Sequence, residues 1–219
     1  MNLQQEIATA GYVLIDDLGL DDPNAVMEQV LSTFARPISY VGLPLVMDLR
    51  PQPGFQPASF AGTGEFNMHT DLSWYEKPPK YIAMFCVANE TAHGGVPLLS
   101  DGWAALEDLS VEEVAYLKTE PVTFPPPSHI DYAPLTGPII REIDGKLVVR
   151  FRFDMLENPS DPIRHYFEAI NRHIIHIRAR PGSLFIFDND RMLHGRTELK
   201  AGMGSDRHFK RMYGEEVPN

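Results

Sequence analysis

Two metal-ligand side chains one residue apart stand out in the stretch Phe66-Asn67-Met68-His69-Thr70-Asp71. Alternate side chains of an extended strand leave the same face, so His69 and Asp71 can point at one ion while Thr70 points away. A neutral imidazole with an ionised carboxylate suits a borderline first-row metal, and a third ligand from elsewhere would leave coordination positions open for reactants. His194, in Phe187-Asp188-Asn189-Asp190-Arg191-Met192-Leu193-His194-Gly195-Arg196, is the candidate. A His-X-Asp tripeptide alone does not establish a metal site, so the rest of the chain must position these residues. His173 and His176, three apart, lack a third ligand at a known spacing and the His-Glu-X-X-His zinc signature.

The elements around them are read from periodicity. Residues 2 to 9 predict a short helix leading into a strand at Gly11–Asp16, and Asp21-Asp22-Pro23 opens a second helix through Val26, Val30, Leu31 and Phe34. From Arg36 to Gly64, proline and glycine without a sustained period predict a long loop of the lid or binding kind. Tyr81–Ala88 is a continuous apolar run, as expected of a strand buried on both faces. Helices are expected near 103–109 and 111–118, the second with a Ser110/Glu113 capping box.

Asp144-Gly145 between Ile139–Ile143 and Leu147–Phe153 signals a hairpin. The alternation of its second strand puts Val148, Arg150, Arg152 and Asp154 on a face expected to meet water. Asp161-Pro162 opens a helix carrying Ile163, Tyr166, Phe167, Ile170, Ile174 and Ile177 at helical spacing. The last strand, Arg207–Tyr213, sets Arg207, Phe209, Arg211 and Tyr213 on one face.

Composition narrows the partners. The 219 residues suffice for one domain with a real core, and 30 acidic against 19 basic residues give a net charge of −11. That charge repels phosphate backbones and anionic membranes, so neither nucleic acid nor a membrane is an expected partner. The single Cys86 lies in an apolar run and reads as a buried hydrophobe in a reducing compartment. No signal-peptide pattern or long apolar span is seen, and a cytoplasmic location is expected. Monomer or modest homo-oligomer is the default.

His69-Thr70-Asp71, Pro78-Pro79, Gly94-Gly95, Asp188-Asn189, His194-Gly195-Arg196 and the closing Arg207-His208-Phe209-Lys210-Arg211-Met212-Tyr213 occur in that order. In this the chain resembles the iron(II)- and 2-oxoglutarate-dependent dioxygenases of the taurine dioxygenase (TauD/TfdA) and clavaminate synthase-like group, from about Phe66 to Tyr213. The resemblance implies a mainly β fold with flanking helices, a double-stranded β-helix (jelly-roll, cupin-like). A single dioxygenase domain spans 1–219, with N-terminal strand and helix elements at 1–35, a lid loop at 36–64 and the jelly-roll core at 65–213.

It further implies that His69, Asp71 and His194 hold Fe(II). Arg207 would pair with the distal carboxylate of the cosubstrate 2-oxoglutarate, and Arg211 would reach its other end or an acidic group of the substrate. Four residues apart on a strand, their α-carbons are about 13 Å apart, within reach of one pocket for long side chains. Relatives use O2 to convert 2-oxoglutarate to succinate and CO2 while oxidising a substrate, most often by hydroxylation. The carboxylate of Asp71 disfavours halogenation, whose catalysts carry a small residue there. One departure is Pro97, standing where many relatives have a threonine that helps hold the cosubstrate; it supplies no donor.

For the substrate, Glu65, Arg152, Asp154 and Arg211 suit a free amino acid or small acid, a cation meeting its carboxylate and a carboxylate its amine. Natural-product intermediates fit the same chemistry, as do desaturation and cyclisation. The alternatives from other classes are a non-catalytic jelly-roll binding protein, which has no need for all of His69, Asp71, His194 and Arg207, and a zinc hydrolase, which would leave the arginine pair unexplained.

Overall fold

Capping side chains fix where the first helices begin. The structure is a computed structural model that describes residues 2–40, 42–89, 94–127, 130–143 and 145–217. Asn2 accepts from the Gln5 amide to start α1 (Leu3–Ala10), which Gly11 closes at φ +83° before β1 (Tyr12–Ile15). Asp22 caps α2 (Pro23–Leu31), whose proline sits in the first turn where no amide hydrogen is needed. Then come β2 (Ala35–Ile38), β3 (Val46–Leu49), β4 (Phe66–His69), β5 (Tyr81–Ala88) and β6 (Pro97–Asp101).

Helices α3 (Gly102–Leu106) and α4 (Val111–Thr119) follow, the latter with the full Ser110/Glu113 capping box. Next are β7 (Val122–Phe124), β8 (Leu135–Gly137), β9 (Ile140–Ile143), β10 (Lys146–Val149) and α5 (Asp161–Arg172). Strands β11 (Ile174–His176), β12 (Leu184–Asp188), β13 (Met192–Arg196) and β14 (His208–Glu216) complete the order.

Two antiparallel sheets carry the architecture. One runs β1-β12-β5-β14, and the far side of β14 pairs with β3 along residues 209–212 and with β2 along 213–216. The other runs β11-β6-β13-β4. Between them pack Ile82, Met84, Cys86, Leu99, Phe185, Phe187, Met192 and Phe209. Helices α1 and α2 cover the outside of the first sheet through Ile7, Met27 and Leu31, which meet Phe85 and Ile186. The outside of the second packs Leu98 and Leu193 with Tyr166, Ala169 and Ile170 of α5. Strand β5 is thus buried on both faces, as its unbroken apolar run requires. Among the described residues no helix is long and apolar enough to cross a membrane.

Four local expectations are corrected. The stretch 36–64 is not all loop: it contains most of β2 and all of β3, whose partner is the distant β14, so pairing overrides weak local signals. Pro37 is tolerated there because β2 is an edge strand. The helix opening at Asp161 stops at Arg172; Ile174 and Ile175 are β-branched and pair with β6, which also takes His176 off the helix.

The hairpin strand expected over Leu147–Phe153 leaves its partner β9 after Val149 and crosses to β4, where Arg152 bridges His69. The turn residue Asp144 lies outside the described residues. Arg150 is buried rather than solvated, donating to the Glu76 carbonyl at 3.1 Å, because this segment is covered at the crossing. Lastly, β4 ends at His69, so Asp71 reaches its place from a turn and not by strand alternation.

Candidate active site

His69 and His194 lie opposite each other where β4 pairs with β13, their ring centroids 4.2 Å apart. Between this pair and the next, Arg196 with Phe66, β4 spends one residue more than β13. This bulge turns Phe66 and His69 to the same side, and their rings stand 4.2 Å apart. Gly195 permits it: a Cβ there would come within 2.6 Å of the Phe66 carbonyl oxygen and 2.9 Å of Met68 Sδ. The backbone of the metal strand and its neighbour approach as closely as only glycine allows.

Asp71 is fixed by residues from two other places in the chain. Asn189 accepts from the Asp71 amide at 2.9 Å and donates to the carbonyls of Asp71 and Pro79 at 3.2 and 3.0 Å. Leu72 beside it takes φ +51°, a left-handed conformation that these bonds maintain. The flanking Asp188 and Asp190 both pair with Lys80, at 2.8 and 2.9 Å, tying the turn before β13 to the start of β5. From β14, Arg211 Nη1 donates to Asp71 Oδ2 at 2.6 Å and the Tyr213 hydroxyl donates to the same atom at 3.0 Å. Burial pushes the Asp71 carboxyl up, but the Arg211 guanidinium beside it outweighs this and the group is held well below the ordinary carboxylate range.

The donor set suits a divalent cation. One ligand atom from each of His69, Asp71 and His194 lies within 4.8 Å of the others. His69 Nδ1 is 2.7 Å from the Asn67 carbonyl, which assigns the proton to Nδ1 and leaves the Nε2 lone pair facing Asp71 Oδ1 at 3.6 Å. That Nε2 is buried with no hydrogen-bond partner, and so is Nδ1 of His194. Burial, then His69, pulls the His194 pKa down to about 3, so its ring is neutral. Two imidazoles and a carboxylate, with an orphaned buried nitrogen aimed at the carboxylate, are a ligand set for a first-row metal such as iron.

Arg207 handles its charge differently. It is 5% exposed, its Nε donates to the Gly95 carbonyl at 3.1 Å, and no carboxylate among the described residues lies within ion-pair distance of it. Burial, then the neighbouring Arg196, pulls its pKa down to about 9. Gly95, at φ +71°, makes room: a Cβ there would meet Arg207 Cδ at 2.9 Å. Arg196 is bound to the carbonyls of Gly62 and Thr197 at 3.0 and 2.9 Å, so it anchors the 50–64 loop. Pro97 begins β6 opposite Arg196 and offers no donor to this region.

The remaining residues read from the sequence are at the rim. Arg152 pairs with Asp154 through two bonds of 3.0 and 3.3 Å and lies over the Phe66 ring at 5.2 Å. Glu65 is exposed, one residue before β4. The structure therefore gathers His69, Asp71, His194 and Arg211 at one point, with Arg207 one residue before β14 begins. Tyr213, Asn189 and Gly195 are site components that residue type alone did not single out; the shared face of Arg211 and Tyr213 was the available signal for the first. Two surface clefts of about 450 and 530 Å³ contain none of the three clustered ligands.

Comparison with known proteins adds the family and the fold. Residues 3–213 match the family model described as taurine catabolism dioxygenase TauD, TfdA family. The chain belongs to the TauD/TfdA family. Among curated TauD/TfdA relatives, a gamma-butyrobetaine dioxygenase of Pseudomonas sp. (strain AK-1) is 29% identical over 227 residues, covering 91% of this chain and 57% of that protein. The gamma-butyrobetaine dioxygenase of Homo sapiens is 25% identical over 174 residues, covering 70% and 45%. An L-asparagine oxygenase of Streptomyces coelicolor is 25% identical over 222 residues, covering 93% and 61%. The chain thus spans about half the length of the curated relatives it matches.

Solved structures bear out the jelly-roll fold of this TauD/TfdA member. An asparagine oxygenase in complex with Fe(II), 2S,3S-3-hydroxyasparagine and succinate superposes with a TM-score of 0.83 at 18% identity, over 97% of this chain and 77% of that one. The non-heme iron oxygenase OrfP with Fe and alpha-ketoglutaric acid gives 0.78 at 18% identity, over 97% and 78%.

Proposed function

We propose that this chain is an Fe(II)- and 2-oxoglutarate-dependent dioxygenase that hydroxylates a small acidic or amino-acid-like substrate and releases succinate and CO2. One observation carries the reading: the buried His69 and Asp71 and the partly buried His194 cluster their ligand atoms with an orphaned imidazole nitrogen among them, and one residue before the strand that brings Arg211 to Asp71 stands a buried arginine with no carboxylate partner among the described residues. The first group needs a cation and the second an anion. Iron(II) with a 2-oxo dicarboxylate answers both needs.

In this reading His69, Asp71 and His194 hold the iron, which supplies oxygen activation when bound with 2-oxoglutarate. Arg207 takes the distal carboxylate through its planar fork, an arriving anion offsetting the cost of a buried cation that has no carboxylate partner. Asn189 keeps the Asp71 turn in place. Phe66, Phe187 and the surrounding core keep water from His69 and His194. Arg152 and Asp154 are the substrate contacts, their mutual pairing exchanged for the carboxylate and ammonium of a zwitterion. The names of the relatives, which include oxygenases of asparagine and butyrobetaine, support that class. The net charge of −11 supports a small molecule, rather than nucleic acid or a membrane, as the partner, and the reading places the protein in the cytoplasm.

The test is succinate formation from 2-oxoglutarate with Fe(II) and air, over a panel of amino acids, betaines and small acids, beside His69→Ala. Succinate that rises with one substrate class and disappears in the variant is expected. Equal background in both proteins, with iron bound to the wild type, would overturn the reading.

A further inference from the structure

Arg211 and Tyr213 arrive together on one oxygen. Two residues apart on β14, they share a face, and both donate to Asp71 Oδ2. Asp71 Oδ1 receives neither bond and faces His69 Nε2. The other groups of the Arg211 guanidinium have little to hold: Nη2 lies 3.2 Å from Met47 Sδ and Nε has no partner. Its plane lies 4.8 Å over the Tyr213 ring, so each side chain supports the other. The backbone beneath them is held on both sides, by β5 and by β3 or β2.

We propose that Arg211 and Tyr213 are positioning residues that occupy Oδ2 of Asp71 and so present Oδ1 as the one oxygen available to the metal. The proposal rests on the reading that His69, Asp71 and His194 hold that metal. A carboxylate free to rotate can engage an ion through both oxygens, which would use up a coordination position that reactants require. Two donors on Oδ2, one of them cationic, prevent this and fix the plane of the group before the ion arrives.

The sign of the effect separates positioning from simple charge. A cation beside the site repels a dication, so if charge alone mattered, removing Arg211 would tighten metal binding. Positioning predicts the reverse. Tyr213 is neutral and tests orientation by itself.

The experiment titrates Co(II), without 2-oxoglutarate, into wild type, Tyr213→Phe, Arg211→Gln, Arg207→Met and His69→Ala, with thermal unfolding of each metal-free protein as the check on folding. Co(II) affinity is expected to fall by roughly 10-fold in Tyr213→Phe and at least as much in Arg211→Gln, with an altered visible Co(II) spectrum. Arg207→Met should bind Co(II) like wild type and lose 2-oxoglutarate. Wild-type or tighter Co(II) binding by Tyr213→Phe and Arg211→Gln would overturn the proposal, as would an Arg211→Gln that loses only 2-oxoglutarate. If Arg211→Gln fails to fold, Tyr213→Phe decides alone. If wild type binds Co(II) no better than His69→Ala, the metal reading itself fails and the proposal falls with it.

Discussion

The two buried polar regions served by β14 treat charge in opposite ways. Around Asp71, an arginine, a tyrosine and an asparagine account for the carboxylate and its backbone, and the atoms left over are two imidazole nitrogens beside it and Nε of that arginine. Around Arg207, the charged neighbour that acts on it is another arginine, and the described acceptor of its side chain is a carbonyl. One region is neutralised before any ligand enters; the other is left short of an anion. A ligand site need not be built by uniform satisfaction of polar groups: what remains unsatisfied indicates the charge of what binds.

The largest expected effect comes from breaking the first region. His69→Ala removes a ligand from a three-ligand set, and metal binding and succinate formation should both fall to background, measured by Co(II) titration and product assay. Next is the second region: Arg207→Met should weaken 2-oxoglutarate binding by about 2–5 kcal/mol, and Arg207→Lys should recover only part of this, read by titration of the Co(II) protein.

A subtler break acts through the backbone. Gly195→Ala sets a Cβ against the Phe66 carbonyl and Met68, neither free to move away, and should destabilise the fold by about 1–3 kcal/mol. For a chain of this size the unfolding midpoint should drop by roughly 2–4 °C for each of those kcal/mol, with metal affinity falling as β4 is displaced.

The smallest effect belongs to an exposed pair that serves as contrast. Glu113 joins His165 between α4 and α5, and this contact, then the Ser110 cap, lowers its pKa from 4.5 to about 2. A depressed carboxylate gives stability that is present above 4.5 and lost as pH falls through about 2. His165 is shifted up from 6.5, first by Glu113, so its share is complete below 6.5 and lost as pH rises through the raised value. Glu113→Gln should therefore lower stability slightly, most between pH 4.5 and 6.5 and least toward pH 2, as urea unfolding across that range would show. A difference that persists unchanged at low pH would assign the effect to the helix cap instead.

What could be read from the chain divides along physical lines. His69 and His194 were legible because ligating side chains within strands are unusual, and Asp71 and Arg207 because the order of all four matches a known pattern. Tyr213 was not, since a tyrosine on a strand reads equally as core. Arg211 was legible as a site residue, but its partner was not, because the turn that delivers Asp71 depends on Asn189 far along the chain. Strands β2 and β3 escaped notice for the same reason: their signal lies in β14. The bulge in β4 requires knowing the register, which no local period contains. The jelly-roll itself followed from motif order more than from the strands one by one.

The placement of β14 also bears on how the molecule comes to be built. This strand inserts between β5 and the β2/β3 edge, joining residues more than a hundred positions apart, as when Tyr213 pairs with Ile38 and Ile82. Contacts of such long range close slowly, after local hairpins and helices have formed. Without that insertion neither Arg207 nor Arg211 would be in place beside the sheet that carries His69 and His194. The strand that closes the sheet thus also completes the site, because it brings to the ligands the cation that holds Asp71.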